Sequence, residues 1–413
     1  MAALILAAVR VLTVGNLYPP HHFGGYEQVW QGAVAHLREQ GHDVRVLCTD
    51  FRHPGVADGG EPQVDRALDW YWRDHEFVRF DLRERVNLER RNHRALRRQL
   101  AEQRPGVVAF WSMGGMSHSL IERVRRERLP TVLFVHDVWL DYGRHTDQWT
   151  RMFRTPLRRL AAPVADRVVA PAKVDYAAAG RYVFVSESVR RRVADLGLGI
   201  AGTAVAHSGI DPVFLRAAPE RPWRWRLLHA GRLHPDKGTH DAVAALARLP
   251  QEATLTFAGT WDPREESHLA RLADELGVAS RVTLLGRRSR EEVAALYREH
   301  DALLFPVRWE EPWGLVPLEA MGCGCPVVAT GRGGSGEYLR DGENCLLVPA
   351  EDPGALAAAV ERLGGDAKLR GRLREGGATT AREHTAARFN AEVERHLREA
   401  AEPCAPPPRP AAA

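Results

Sequence analysis

Residues 308–330 read "RWEEPWGLVPLEAMGCGCPVVAT". "CPVVAT" is short, apolar and β-branched, as suits a strand covered on both faces. "ALLFPV", just upstream, has the same character. Between the two, Trp313–Gly314 breaks the strand pattern, and a helix is expected from Leu315 to about Gly322. Strand, loop, helix and strand in this order make a βαβ unit, and hence a parallel sheet. Glu311 and Glu319 lie inside the unit with seven residues between them. One sits in the loop and the other one to two turns into the helix, so they do not share a helix face. An acid/base pair, metal ligands, hydroxyl binders and helix-end charges all remain open on spacing alone.

Working outward, the βα alternation continues in both directions. Towards the N-terminus, apolar runs at Val11–Val14, Val44–Leu47, Val107–Phe110, Val132–Val135 and Val183–Val185 alternate with helical stretches. A second series comprises "WRLLHAGRL", "ATLTFAGT", "RVTLLGR", "ALLFPV", "CPVVAT" and "NCLLVPA", with helices expected at Asp241–Arg248, Glu265–Leu276 and Glu291–His300. The stretch "HSGIDPVFLRAAPERPWRW" between the series is rich in Pro and lacks periodicity. The expected organisation is an α/β chain with two Rossmann-like, doubly wound domains. An acceptor domain spans 1–207, a linker 208–223 and a donor domain 224–384. A C-terminal helix at 385–402 is expected to return to the first domain, and 403–413 is expected to be disordered. Two such sheets place the carboxyl ends of their strands around one interdomain cleft, where ligands bind.

Composition narrows the class. With 413 residues, 45% hydrophobic and 27% charged, the chain fits two globular domains. No apolar run is long enough to span a bilayer. The opening "MAALILAAVRVLTVGN" runs through Arg10 into the first strand, so a cleaved leader is not expected, and the reading is cytoplasmic. Five scattered cysteines, none in C-x-x-C, exclude a disulfide framework and a zinc site. A net charge of +4 does not imply nucleic acid. Lys173, Lys237 and Lys368 are the only lysines among 57 basic residues, so Arg-rich helices read as coding bias and solvated faces.

Against that background a lysine inside "HAGRLHPDKG" stands out. Arg232 and Lys237 fall on a strand-to-helix loop, where cations and the helix start suit a diphosphate. The backbone N–H groups of Gly314, Leu315 and Val316 are the unpaired donors of another helix start.

"GRLHPDKG" together with "EEPWGLVPLEAMGCGCPVVAT" resembles the retaining glycosyltransferases of family 4, with the GT-B fold, whose most specific signature is E-x7-E. "PPHHFGGYEQVWQGAVAHLREQGHDVRVL", "VFVSESVR" and "GRGGSGEYLRDGENCLLVPAEDPGALAAAV" extend the likeness over most of the chain. The resemblance implies that Arg232 and Lys237 hold the donor diphosphate and that Glu319 binds the ribose hydroxyls. It implies that Glu311 binds hydroxyls of the donor sugar, with the backbone of Trp313, Gly314, Leu315 and Val316 closing on the sugar and phosphate. Gly25 would approach the diphosphate, His136 would line the sugar near its anomeric carbon, and Arg288 would touch the nucleoside. No metal or other cofactor is expected, since the chain contains no D-x-D and the nearest approach is "DHE" at Asp74. Departures from the family pattern are Ser208 in "SGID", Cys345 in "GENCLLV" and the extra apolar residues before Val9.

The function implied is metal-independent transfer of a hexosyl unit from a UDP- or GDP-linked sugar to a hydroxyl of a sugar, lipid-linked or natural-product acceptor, with retention. Alternatives are a GT-B phosphorylase, a sugar-nucleotide epimerase and a non-catalytic nucleotide-sugar binder. A dinucleotide oxidoreductase fits poorly because Gly24–Gly25 do not form G-x-G-x-x-G. His21 and His22 read as loop surface, with reach into the cleft as the second reading. Trp70, Trp72, Trp139 and Trp149 read as core, with stacking on an acceptor as the second reading. "RMFRTPLRRL" reads as a solvated helix, and weak peripheral contact with an anionic membrane is its second reading.

Overall fold

The computed structural model describes residues 8–73, 76–261 and 263–402. Residues 403–413 and Asp74, on which two expectations fell, lie outside the described residues, as do the first seven. The N-terminal half carries β1 (Arg10–Val14), β2 (Asp43–Thr49) and β3 (Val64–Leu68). A small antiparallel hairpin follows, formed by β4 (Trp72–Arg73) and β5 (Glu76–Phe77). Then come β6 (Val107–Phe110), β7 (Thr131–Val135), β8 (Arg181–Phe184) and β9 (Ala204–Val205). The C-terminal half carries β10 (Arg226–Ala230), β11 (Thr254–Ala258), β12 (Val282–Leu284), β13 (Ala302–Phe305), β14 (Val327–Ala329) and β15 (Leu346–Leu347).

The first sheet is ordered β3-β2-β1-β6-β7-β8-β9 and the second β12-β11-β10-β13-β14-β15, with every pair parallel. Strand order therefore reverses between β1 and β6, and again between β10 and β13. These are the doubly wound α/β domains expected from the sequence. The central strands β6, β7 and β13 are buried at every residue, which is why they read as unbroken apolar runs. Strand β3 escaped the pattern because it is an edge strand carrying Asp65 and Arg66. The Arg66 guanidinium donates to the Tyr18 and Pro19 carbonyls at 3.0 and 2.7 Å.

The chain crosses between the domains twice, at 208–211 and 384–386, and the crossings are hydrogen-bonded to each other. Ile210 N–H donates to His384 O at 2.9 Å, and Ala386 N–H donates to Ile210 O at 2.8 Å. A β-carbon on Gly209 would stand 2.0 Å from the Thr385 carbonyl carbon, so this approach requires glycine. Beyond it, helix Ala386–Ala401 lies against helix Gly25–Glu39 and strands β6 and β7 of the first domain. Glu394 on that helix bridges His36 and His42, at 3.0 and 3.3 Å. Among the described residues, no helix is long and apolar enough to cross a membrane.

Replacing Gly209 by Ala is expected to destabilise the protein by about 1–3 kcal/mol, since backbone must move to admit the methyl. Urea unfolding tests this, and an unchanged midpoint would contradict the close approach.

Candidate functional site

The reversal between β10 and β13 puts the loops that follow these two strands side by side at the carboxyl edge of the second sheet. The β10 loop carries Arg232 and Lys237, and the β13 loop carries Glu311. The β10 loop turns through a short 3-10 helix, Pro235–Lys237, into Gly238 at φ +70°. A β-carbon there would stand 1.9 Å from Pro306 O, so the glycine seats one loop on the other. His229 fastens the loop from beneath, its Nε2 being 3.1 Å from Lys237 O. Burial lowers its pKa to about 4, so the ring is neutral and donates to that carbonyl.

Lys237 and Glu311 meet directly, Nζ lying 2.5 Å from Oε2. Trp309 completes the group: its Nε1–H donates to the same oxygen at 2.7 Å, and Lys237 Nζ stands 4.7 Å above its ring. Glu311 is buried and Lys237 half-buried, while Arg232 is exposed and has no ion pair among the described residues. The Glu311 backbone is gripped by Gly333 and Gly334, the latter donating to Glu311 O at 2.6 Å. Gly314, in the left-handed region at φ +85°, starts helix Leu315–Gly322. The N–H groups of Gly314, Leu315 and Val316 meet no protein acceptor among the described residues.

Glu319 occupies a different environment on this helix. Its Oε2 accepts from the Tyr297 hydroxyl at 3.0 Å. Burial pushes its pKa up to about 7, with the Tyr297 hydrogen bond and the Arg290 charge opposing the rise. Arg290 in turn holds Asp211 of the linker at 2.6 Å and Gln28 of the first domain at 3.0 Å.

Across the cleft, the loop after β1 leads into helix Gly25–Glu39, whose start faces that of Leu315–Gly322. The nearest protein atom to a β-carbon on Gly25 would be Leu315 Cδ1, at 3.9 Å, so packing within the protein does not demand glycine there. His136, at the end of β7, lies among Tyr26, Trp111 and Phe389, with Nδ1 3.2 Å from the Ser208 hydroxyl. Burial lowers its pKa to about 3, leaving a neutral ring.

Four residues differ from their sequence readings or sit apart. The Trp313 side chain is turned into the hinge, where Nε1–H donates to Ser208 O at 2.8 Å and the ring stacks on His207 at 4.2 Å. Only its backbone is left for the cleft. Arg288 donates to the neighbouring Arg287 carbonyl, whereas Arg287 and Arg290 are the arginines that reach the first domain. His21 and His22, read as loop surface, are buried. His21 is bound to Asp58 at 2.7 Å, and His22 accepts from Arg287 across the cleft, also at 2.7 Å. Sequence reading also missed Trp309, Tyr297 and Arg290. Trp309 could have been found as an aromatic two residues before Glu311, but Tyr297 and Arg290 belong to a helix with no motif of its own. Among the described residues, no cluster of His, Cys, Asp and Glu could hold a metal ion.

Two family models match consecutive parts of the chain. One, described as Glycosyltransferase Family 4, matches residues 23–214, and one described as Glycosyl transferases group 1 matches residues 216–380. The glycogen synthase of Mycobacterium tuberculosis is 28% identical over 369 residues, 85% of this chain and 85% of that protein. The D-inositol 3-phosphate glycosyltransferase of Mycobacterium bovis is 34% identical over 197 residues, 45% of this chain and 41% of that protein. The sucrose-phosphate synthase of Thermosynechococcus elongatus shares the fold with a TM-score of 0.71 at 18% identity, over 94% of this chain and 98% of that one. Anabaena HepE in complex with UDP-glucose does so with a TM-score of 0.67 at 18% identity, over 95% and 100%. With both halves of its sheet pair matched and the motif loops joined at one sheet edge, the chain belongs to the family 4, group 1 glycosyltransferases, of GT-B fold.

Proposed function

We propose that the protein is a retaining, metal-independent hexosyltransferase acting in the cytoplasm, with a nucleoside-diphosphate sugar, UDP- or GDP-linked, as donor and a hydroxyl as acceptor. The observation that carries this reading is the meeting of Lys237, Glu311 and the free helix start at Gly314–Val316 between the two strands where the sheet order reverses. Such a group offers positive charge, unpaired N–H donors and a hydroxyl acceptor within one loop pair. A diphosphate attached to a sugar needs these three together.

In the proposed step the bond from the anomeric carbon to the diphosphate oxygen breaks, and a bond to the acceptor oxygen forms on the same face. The acceptor's proton passes to the departing phosphate oxygen. Lys237, Arg232 and the helix start stabilise the charge that grows there. Glu311 accepts from hydroxyls of the sugar, Glu319 from those of the ribose, and Gly25 leaves room beside the diphosphate. His136, neutral, offers a ring N–H near the anomeric carbon, while Arg288 sits at the nucleoside end. Movement about the paired crossings at Ile210 and Thr385 would close the cleft and exclude water.

Calorimetric titration of the EDTA-treated protein with UDP, GDP, dTDP, ADP and NAD tests the donor reading. Binding of one nucleoside diphosphate is expected, whereas binding of NAD alone would overturn it. Removing divalent metal should leave transfer intact, and a strict metal requirement would contradict a protein-cation mechanism. The anomeric configuration of the product, read by NMR, decides retention.

Lys237→Ala should lower kcat by roughly 10²–10³-fold with a smaller effect on donor affinity, because the charge develops in the transition state. Equal losses in both would mark Lys237 as a ground-state binder. Glu319→Ala should weaken donor binding by about 1–3 kcal/mol. The bound hydroxyls favour the ionised form of Glu319, so donor affinity should rise with pH through about 7 and level off above it. In Glu319→Gln that rise should vanish, and a persisting slope would place the titration elsewhere.

A further inference from the structure

Exposed apolar side chains are unevenly distributed over this protein. Nine large ones stand exposed on the described surface, and six of them fall in two short segments: Phe77 and Leu82, and Leu157, Leu160, Val164 and Val168. Leu157 and Leu160 are 84% and 81% exposed, more than any other large apolar residue described. They belong to a run of short helices, Gln148–Met152, Pro156–Arg159 and Ala162–Val168.

Between the two segments lies a cavity of about 520 Å³ lined by Arg79, Arg85, Arg151, Arg158, Phe77 and Met152, among others, with no carboxylate in its described wall. Some exposed arginines elsewhere are neutralised, as in Arg190–Glu187, Arg332–Glu310 and Arg395 with Glu392 and Glu399, while others such as Arg232 are not, so it is the exposed apolar side chains beside the arginines that set this face apart. Here Arg79, Arg151, Arg154, Arg158 and Arg159 have no ion pair among the described residues. The two acids of the helical run point elsewhere. Asp147 is buried and accepts from Trp149 and Thr150, and Asp166 pairs with Arg126. Apolar side chains standing in water beside uncompensated arginines are the complement of an anionic lipid surface.

We propose that this face docks the protein on an anionic bilayer, with Leu157, Leu160, Val164 and Val168 entering the acyl boundary and the arginine cavity seating a lipid phosphate. Phe77, in the cavity wall, packs beside Gly115 in the loop after β6, so the docking face is joined to the carboxyl edge of the first sheet. The inference needs only the surface chemistry and does not depend on the donor reading.

Co-sedimentation of the full chain with vesicles of phosphatidylglycerol and phosphatidylcholine, against phosphatidylcholine alone, tests it. The protein is expected to partition onto the anionic vesicles, to leave them in about 0.5 M salt, and to ignore the neutral ones. Arg151→Gln with Arg158→Gln should reduce partitioning roughly tenfold or more, and so should Leu157→Ser with Leu160→Ser. All four side chains lie at the surface or the cavity wall, and an unchanged unfolding midpoint confirms that each pair folds. Protein left in the supernatant with anionic vesicles overturns the proposal. Equal binding to neutral vesicles does too, as does wild-type binding by both double variants.

Discussion

The two crossings at Ile210 and Thr385 set the relation between everything else in the molecule. Because Ile210 exchanges hydrogen bonds with His384 and Ala386, the linker and the returning chain form one strap rather than two independent tethers. Side chains close around it. Trp313 comes from the loop after β13, His207 from the end of the first domain, His384 from the returning crossing and Tyr338 from the second domain, and they pack as one aromatic group, with Trp313 Nε1–H donating to Ser208 O of the linker. The same loop that presents Glu311 to the cleft thus also anchors the hinge, through Trp313 two residues later. Ser186 of the first domain donates to Pro312 O at 2.6 Å, so motion of that loop and motion of the domains are mechanically linked.

How far the sequence could be read follows from which forces leave a local trace. Strands buried on both faces must be apolar throughout, and β6, β7 and β13 were visible for that reason. Edge strands are half-solvated, and no period survives in β3, which carries Asp65 and Arg66, or in β9, which is only two residues long. Glycines that sit under a neighbouring backbone, such as Gly238 against Pro306, explain why "DKG" has its form. The partners of the site residues left no such mark. Tyr297 reaches Glu319 from another helix and Arg290 reaches Gln28 from another domain, across separations that only the folded chain closes. The histidines show the same limit. His21 and His22 lie in a Pro- and Gly-rich stretch that reads as surface, yet Asp58 and Arg287 close over them from distant loops.

The spacing of Glu311 and Glu319 left four readings open, and the surroundings of each carboxylate separate them. Glu311 is matched by a cation and an indole N–H on a single oxygen. Glu319 has one hydroxyl partner and is raised by burial to about 7. A general acid and base would have to face a common atom, but these two carboxyls are served by different partners, Lys237 with Trp309 and Tyr297 with Arg290 acting from beyond. Nor do they form a metal site, since no further ligand joins them among the described residues. The two carboxylates therefore sit in separate surroundings within one βαβ unit at the sheet edge, as the proposed roles on two different parts of one ligand require.

On the proposed reading, the Lys237–Glu311 pair also explains how a half-buried lysine can wait for a diphosphate. A lone ammonium at this depth would bear an uncompensated desolvation cost. Glu311 and the face of Trp309 offset that cost and fix its position. An arriving diphosphate competes for the same ammonium, and as Lys237 turns towards phosphate, Glu311 loses part of its partner and gains reason to accept from sugar hydroxyls. The two events reinforce each other only if one ligand carries both groups. A free diphosphate would leave Glu311 poorly paired, and a free sugar would have to compete with Lys237. The pair therefore favours the intact nucleotide-sugar over either fragment, and it does so through two side chains on loops that the sheet order brings together.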